Sequence, residues 1–401
     1  MKSNSWTLVL GTLGLITLPQ VVAAEEKLNP LLTAVSPTTL SGYLSSSVQW
    51  APGTGNAYSS PRLYQADKAD GFNLDVVALS LGKSLDESAW AAGYAADLWF
   101  GPDANTFNTV STGNNSDLAI KQAYVSLRAP VGNGLDFKVG VFDYIIGYES
   151  HDAYKDPNYT RAYSVSIQPR SHTGVLMSYQ FNSLFSASAG IANTYGPTIN
   201  ARANGPKAES FKTYMGSVAL AAPDNWGWVS GSTLYAGAVN GWNGDATGGD
   251  TILNLYAGVA LNTGIDGLRV GVSYDHSQNT DDAVPGGSQE EVQAQAVALY
   301  TSYQYSERLG LHLRGEYADS DSNVWGSQAT GTPGGTSKLF GLTATLQYDL
   351  WKNVISRLEF IWDHQAGDND MTGFGGQLEN GATSGSLRNR YTIALNFIYK
   401  F

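Results

Sequence analysis

The sequence predicts an all-β fold, a transmembrane up-and-down antiparallel β-barrel of about 16 strands preceded by a cleaved signal peptide. Three observations predict it. Bulky apolar side chains alternate with small or polar ones in segment after segment. The connections between those segments sort into short and long. Beyond the leader, no stretch reaches the roughly 20 apolar residues that a membrane helix requires, and only helices or closed barrels satisfy every backbone hydrogen bond inside lipid.

The leader comes first. Residues 1–24 read as a signal peptide: Lys2 supplies the positive charge, Trp6 to Leu18 the apolar run, and Val22, Ala23 and Ala24 the small residues at the cut. Residues 25–37 are expected to form a periplasmic lead, and 38–401 the barrel. Strands are expected to begin near residues 38, 71, 88, 117, 134, 171, 184, 210, 229, 251, 267, 292, 309, 336, 353 and 388.

In one such strand Leu309, Leu311, Leu313 and Tyr317 oppose His312, Arg314 and Glu316; in another Val354, Leu358, Phe360 and Trp362 oppose Arg357, Glu359 and Asp363. Leu135, Phe137, Val139 and Val141 likewise oppose Asp136, Lys138 and Gly140, and Leu268, Val270, Val272 and Tyr274 oppose Arg269, Gly271, Ser273 and Asp275. The second face suits a hydrated lumen. Short connections such as Asn182-Ser183 and Ser306 to Arg308 alternate with long ones, 51–70, 102–116, 143–170, 195–209, 241–250, 277–291, 320–335 and 365–387. Short periplasmic turns and long outer loops produce that order, whereas a sandwich has no reason to. Trp50, Trp90, Trp99, Trp226, Trp228, Trp242 and Trp351 fall near strand ends, as aromatic girdles would. The last strand alternates most cleanly. Tyr391, Ile393, Leu395, Phe397, Tyr399 and Phe401 share one face, a lipid-facing strip of the kind that resembles an outer-membrane assembly signal.

Composition narrows the function. The chain has no cysteine, so it has neither disulfides nor thiolate metal sites. It carries 23 basic and 35 acidic residues, and the acidic balance with an exterior location argues against nucleic-acid binding. Most of the acidic excess lies in the long connections, where it would attract cations at the outer mouth. Its five histidines include no HExxH and no close pair. Ser171-His172 lacks a nucleophile elbow, and Gly331 to Lys338 is a turn-rich loop rather than a phosphate loop. No enzyme activity, metal or cofactor is expected.

Gly140 and Phe142, Gly147-Tyr148-Glu149, Pro157-Asn158-Tyr159, Ser164, His172-Thr173-Gly174, Tyr179 and Ser188 to Asn193 together resemble the beta-barrel porin-2 family of bacterial outer-membrane proteins. Residues 41–50 and 72–83 resemble it too, so the likeness covers nearly all of the mature chain. Val141, where a basic residue is expected, and the Asn193 to Gly196 turn depart from the pattern.

The resemblance implies an outer-membrane porin, a passive diffusion channel for small hydrophilic solutes or ions, with homotrimers usual among sixteen-stranded porins. Lipid, lipopolysaccharide and the barrel-assembly machinery are the expected partners. By the same resemblance the third long connection folds inward as a constriction bearing Asp143, Glu149, Asp152, Lys155, Asp156, Arg161 and Arg170. Lys138, His172, Arg269, Arg314, Glu316, Arg357, Glu359 and Asp363 are expected on the lumen wall beside Asp75, a mixed set that leaves a mild cation preference. The alternatives are a barrel enzyme or adhesin with a plugged lumen and a secreted β-sandwich lectin.

Overall fold

The computed structural model describes residues 38–401 except 53–59, 66–67, 69, 87, 111–115, 203–210, 243–250, 281–290, 322–323, 326–336, 367–373 and 375–387. The expected signal peptide and periplasmic lead lie outside the described residues.

Sixteen antiparallel strands close into one barrel: β1 (Thr39–Trp50), β2 (Gly71–Lys83), β3 (Ala91–Phe100), β4 (Leu118–Ala129), β5 (Leu135–Asp143), β6 (Ser171–Gln180), β7 (Phe185–Ala192), β8 (Thr213–Ala221), β9 (Thr233–Trp242), β10 (Thr251–Asn262), β11 (Leu268–Thr280), β12 (Glu291–Gln304), β13 (Leu309–Ser320), β14 (Ser337–Trp351), β15 (Val354–Gln365) and β16 (Asn389–Lys400). Each strand pairs with its sequence neighbours, and β16 returns to β1 from Tyr43↔Lys400 to Trp50↔Ile393. No sheet edge remains open, which is what lipid demands of a spanning sheet. The seam ends on two bonds of 3.0 Å, from the Gly42 amide to the Phe401 carbonyl and from the Phe401 amide to the Gly42 carbonyl. A Cβ at Gly42 would stand 2.7 Å from the Phe401 ring and closer still to the Ala78 carbonyl, so glycine makes room for that aromatic.

Alternation sorts the side chains as the sequence predicts. On β16, Tyr391, Ile393, Leu395, Phe397 and Tyr399 are exposed, as is Phe401 beyond it, while Thr392, Ala394, Asn396 and Ile398 are buried. On β13, Leu311 and Leu313 face out and His312, Arg314 and Glu316 face in; on β15, Leu358 and Phe360 face out and Arg357, Glu359 and Asp363 face in.

Four expectations need correction. The strand expected from residue 229 begins at Thr233, because Asp224–Val229 coils as a 3-10 turn broken at Gly227, whose φ is +66°. Its Trp226 and Trp228 are exposed and imitate the alternation of a strand. Length sorting is also not strict, since 222–232 separate β8 from β9 while only 243–250 separate β9 from β10. Trp99 belongs to no girdle: it is buried, 5.3 Å from the Phe107 ring and 6.2 Å from that of Tyr64. Val141 is buried rather than exposed beside Val139. It follows Gly140, whose φ of +135° breaks the regular pleat.

Candidate functional site: the barrel lumen

Charge is distributed unevenly round the wall. Strands β6 to β10 carry no Asp, Glu, Lys or Arg, whereas β11 to β16 and β2 to β5 all do. The connection between β5 and β6, residues 144–170, matches this division. Its two roots are apolar and pack on the uncharged arc. Ile145 and Ile146 join a buried cluster with Phe142, Leu176, Met215, Tyr235 and Val239. The Ile167 carbonyl accepts a 2.8 Å bond from Asn254 on β10.

The middle of the connection is polar and meets the charged arc. Arg314 on β13 is fully buried, with Nη1 donating to Glu149 at 2.9 Å and to the Thr160 carbonyl at 2.6 Å and Nε donating to Glu316 at 2.8 Å. Glu359 on β15 accepts from the amides of Tyr159 (2.6 Å) and Thr160 (2.9 Å) and from the hydroxyls of Thr160 and Thr345, both at 2.6 Å. Arg357 donates to the carbonyls of Ala153 and Asp156. Asp363 accepts the Tyr163 hydroxyl at 2.6 Å.

The connection between β1 and β2 joins the same network. Arg62 is fully buried, donates to Glu316 at 2.6 Å and to Asp363 at 2.8 Å, and lies 4.3 Å over the Tyr163 ring. Lys68 bridges Asp75 (2.6 Å) on β2 and Asp103 (2.8 Å) in α1 (Pro102–Phe107), the short helix after β3. Lys121 on β4 meets Asp143 and Asp152, and Asp152 also meets Lys155 at 2.6 Å. Trp325 donates to the Tyr163 carbonyl at 3.0 Å, and Phe374 is buried in the same cluster, so residues from two further long connections reach this assembly.

Paired charge is the common thread. Burial opposes ionisation of Asp152, yet Lys121 and Lys155 together outweigh it and hold the carboxyl below its usual range. Burial pushes the Asp156 carboxyl up to about 7 even though Arg161 Nε stands 3.2 Å away. His151 is held neutral. Burial and then the charges of Lys121, Arg170 and Arg161 push its pKa far below the usual value, and its Nδ1 shares a 2.7 Å bond with the Tyr64 hydroxyl.

Of the residues the sequence nominated, Glu149, Asp156, Arg161, Arg314, Glu316, Arg357, Glu359 and Asp363 come together in one network, and Asp143, Asp152 and Lys155 meet around Lys121. Arg170 bonds the Phe107 carbonyl at 3.4 Å. Three wall residues stand apart: Lys138 lies over the Tyr124 ring, Arg269 bonds Asn262, and His172 is buried beside Phe142. Sequence reasoning missed Arg62, Lys68, Asp103 and Lys121. Lys121 could have been found, since its neighbours two residues away on the same face of β4, Ala119 and Ala123, are small and apolar and leave the cation standing out there. Among the described residues no cluster of His, Asp and Glu could hold a metal.

The comparisons with known proteins come from sequence and from shape. A family model described as "Putative beta-barrel porin-2, OmpL-like" matches residues 37–401. No curated protein matches in sequence. Among solved structures, the outer membrane channel DcaP of Acinetobacter baumannii is similar with a TM-score of 0.57 at 12% identity, covering 91% of this chain and 97% of that one. The anion-selective porin from Comamonas acidovorans gives 0.55 at 15% identity, covering 91% and 99%. OmpT of Vibrio cholerae gives 0.53 at 11% identity, covering 91% and 97%. At such identities these likenesses bear on the fold alone.

Proposed function

This chain belongs to the beta-barrel porin-2 family, an outer-membrane porin on a closed sixteen-stranded barrel, and from that premise we propose that it is a passive diffusion channel for small hydrophilic solutes or ions, narrowed by residues 144–170. One observation carries the reading: the apolar side chains of the strands face out of a closed ring, while polar side chains face in, with buried Arg, Asp and Glu along one arc of it. Asp143, Glu149, Asp152, Lys155, Asp156, Arg161 and Arg170 would act as the constriction less by setting a field than by holding it in place, since most are paired. What selectivity remains falls to the acidic excess of the whole chain, formal charge -12, and is a mild preference for cations. The reading includes no enzymatic step.

The wider expectations join the proposal: export by residues 1–24, insertion by the barrel-assembly machinery through the outward strip of β16, contact with lipopolysaccharide, and assembly as a homotrimer. A second reading, a barrel whose lumen is plugged, is favoured by the reach of Arg62, Trp325 and Phe374 into the assembly that residues 144–170 build. Planar-bilayer recording of the purified barrel decides between them. Ohmic, stepwise openings support the channel; a folded barrel without conductance supports the plug.

A further inference from the structure

One patch of the lumen wall departs from the rule of paired charge. Asp275 on β11 is 2% exposed, and neither Lys, Arg nor His lies within ion-pair distance of it among the described residues. Of its two carboxylate oxygens, Oδ1 accepts from Gln168 Nε2 at 2.5 Å, while Oδ2 has no partner in hydrogen-bond geometry and the Ser164 hydroxyl is its remaining polar neighbour. The charged neighbour that acts on it is Glu149, a second carboxylate. Among the described residues, Glu359 is the other buried wall carboxylate without an ion pair, and it takes four donated bonds instead.

The atoms around Asp275 are orphaned in the same way. Gln168 Oε1, Asn254 Oδ1 and Tyr256 OH are buried without a hydrogen-bond partner, and the neighbouring Ser273 Oγ and Tyr300 OH are buried with none beyond each other. The four on strands share one inward face of β10, β11 and β12 with Asp275: Tyr256 pairs in register with Asp275, Asn254 with Ser277, Ser273 with Gly258 and Tyr300 with Gly271. Gln168, which lies on the connection rather than on a strand, is brought onto this patch by its own bond to Asp275. Buried polar atoms without partners are rare and call for an occupant. A single carboxylate amid amide and hydroxyl oxygens, with no nitrogen or sulfur ligand and no basic side chain, is the donor set of a hard cation.

We propose that Asp275, with the oxygens of Gln168, Asn254, Tyr256 and Ser273, forms a cation site in the lumen wall, occupied by a hard, oxygen-seeking ion such as Ca2+. The ion would supply the positive charge that Lys and Arg supply elsewhere in the lumen. It would also fasten the descending root of residues 144–170, through Gln168, to β10 and β11. With one carboxylate, affinity falls in the weak range for oxygen-ligated calcium, on the order of 10⁻⁴ to 10⁻³ M.

The test uses the full-length barrel folded in detergent and Tb3+ as the calcium probe, because Tyr256 and Tyr300 would sensitise its luminescence. In wild type, the tyrosine-excited signal should saturate and be displaced by Ca2+, and the heat-modifiability midpoint should rise with Ca2+. Asp275→Asn should lose the Ca2+-displaceable component and the Ca2+-dependent rise. Ser273→Ala, a smaller change, should weaken Ca2+ displacement several-fold and so keeps the test alive if Asp275→Asn does not fold. Equal Tb3+ titrations in wild type and both variants would overturn the site. So would an Asp275→Asn barrel with a higher midpoint at every Ca2+ concentration and a wild type indifferent to Ca2+, since that marks a buried acid with no ion. Both readouts concern binding, so loss of conductance would count against the channel without touching the cation site.

Discussion

Replacing Arg314 by Met should release residues 144–170 from the charged wall without unfolding the barrel. Arg314 is fully buried and makes ion pairs to Glu149 and Glu316, with further bonds to Thr160, Arg161 and Thr343. Glu316 keeps Arg62 when Arg314 is lost, but Glu149 loses its ion pair and, among the described residues, keeps the Ala162 amide at 2.8 Å as its one hydrogen bond. Breaking a buried pair on one side costs about 3 to 5 kcal/mol, because the remaining charge is left uncompensated. The sixteen backbone ladders are untouched, so the cost falls on docking of the connection, whose bound-to-released ratio drops by about two to four orders of magnitude. Single-channel recording should then show larger and noisier openings, with a heat-modifiable barrel still present. Glu149→Gln added to Arg314→Met should recover part of the loss, as the orphaned charge is removed. Unchanged conductance in Arg314→Met, with unchanged proteolysis of residues 144–170, would refute the reasoning.

Three further outcomes are expected. Phe397→Arg, on the outward strip of β16, should lower the yield of inserted barrel, with a cost of about 2 to 4 kcal/mol if the position lies at the bilayer midplane; a wild-type yield of heat-modifiable barrel would show that this face does not meet lipid. Acid should loosen the junction at His151, whose ring lies against those of Tyr64, Phe107 and Tyr144. Because its folded pKa is depressed, it adds no penalty above its unfolded pKa of about 6.5, and the penalty grows as pH falls below that. A conductance or proteolysis change that begins below about pH 6.5 in wild type should be blunted in His151→Gln. The reversal potential in a KCl gradient should report a mild cation preference at low ionic strength that fades toward molar salt, as the Debye length shrinks from about 10 Å at 0.1 M to about 3 Å at 1 M; anion preference at both would assign selectivity to basic residues such as Lys138 and Arg269.

The strands were legible because a half-buried strand writes itself into sequence with period two, and lipid outside sharpens the contrast. β13 and β15 sort face by face from the sequence alone. The lumen was legible only where its residues sit on strands. Arg314, Glu316, Arg357, Glu359 and Asp363 carry a period that marks them as inward, whereas Arg62 lies between Pro61 and Leu63 with no pattern around it. Its carboxylate partners Glu316 and Asp363 are 254 and 301 residues away in the chain, a distance over which one sequence holds no trace of a contact. Pairing itself was illegible for the same reason. The constriction charges looked like a field from the sequence, and the partners that neutralise them belong to elements remote in the chain.

The seam between β1 and β16 has a consequence for the order of assembly. Every other strand pairing is local hairpin pairing or spans one connection, but Asn396 on β16 reaches Ser45 on β1 across 351 residues. By the logarithmic law of loop closure, bringing those ends together costs about 3 kcal/mol more than closing a ten-residue hairpin. Fifteen ladders can therefore grow as a curling ribbon before the sixteenth forms, and until then both margins of the ribbon present unpaired backbone to any strand that will add to them. A lesion at Gly42 would be felt at that late moment. It should reduce how many barrels are completed and leave the current through each completed one unaltered.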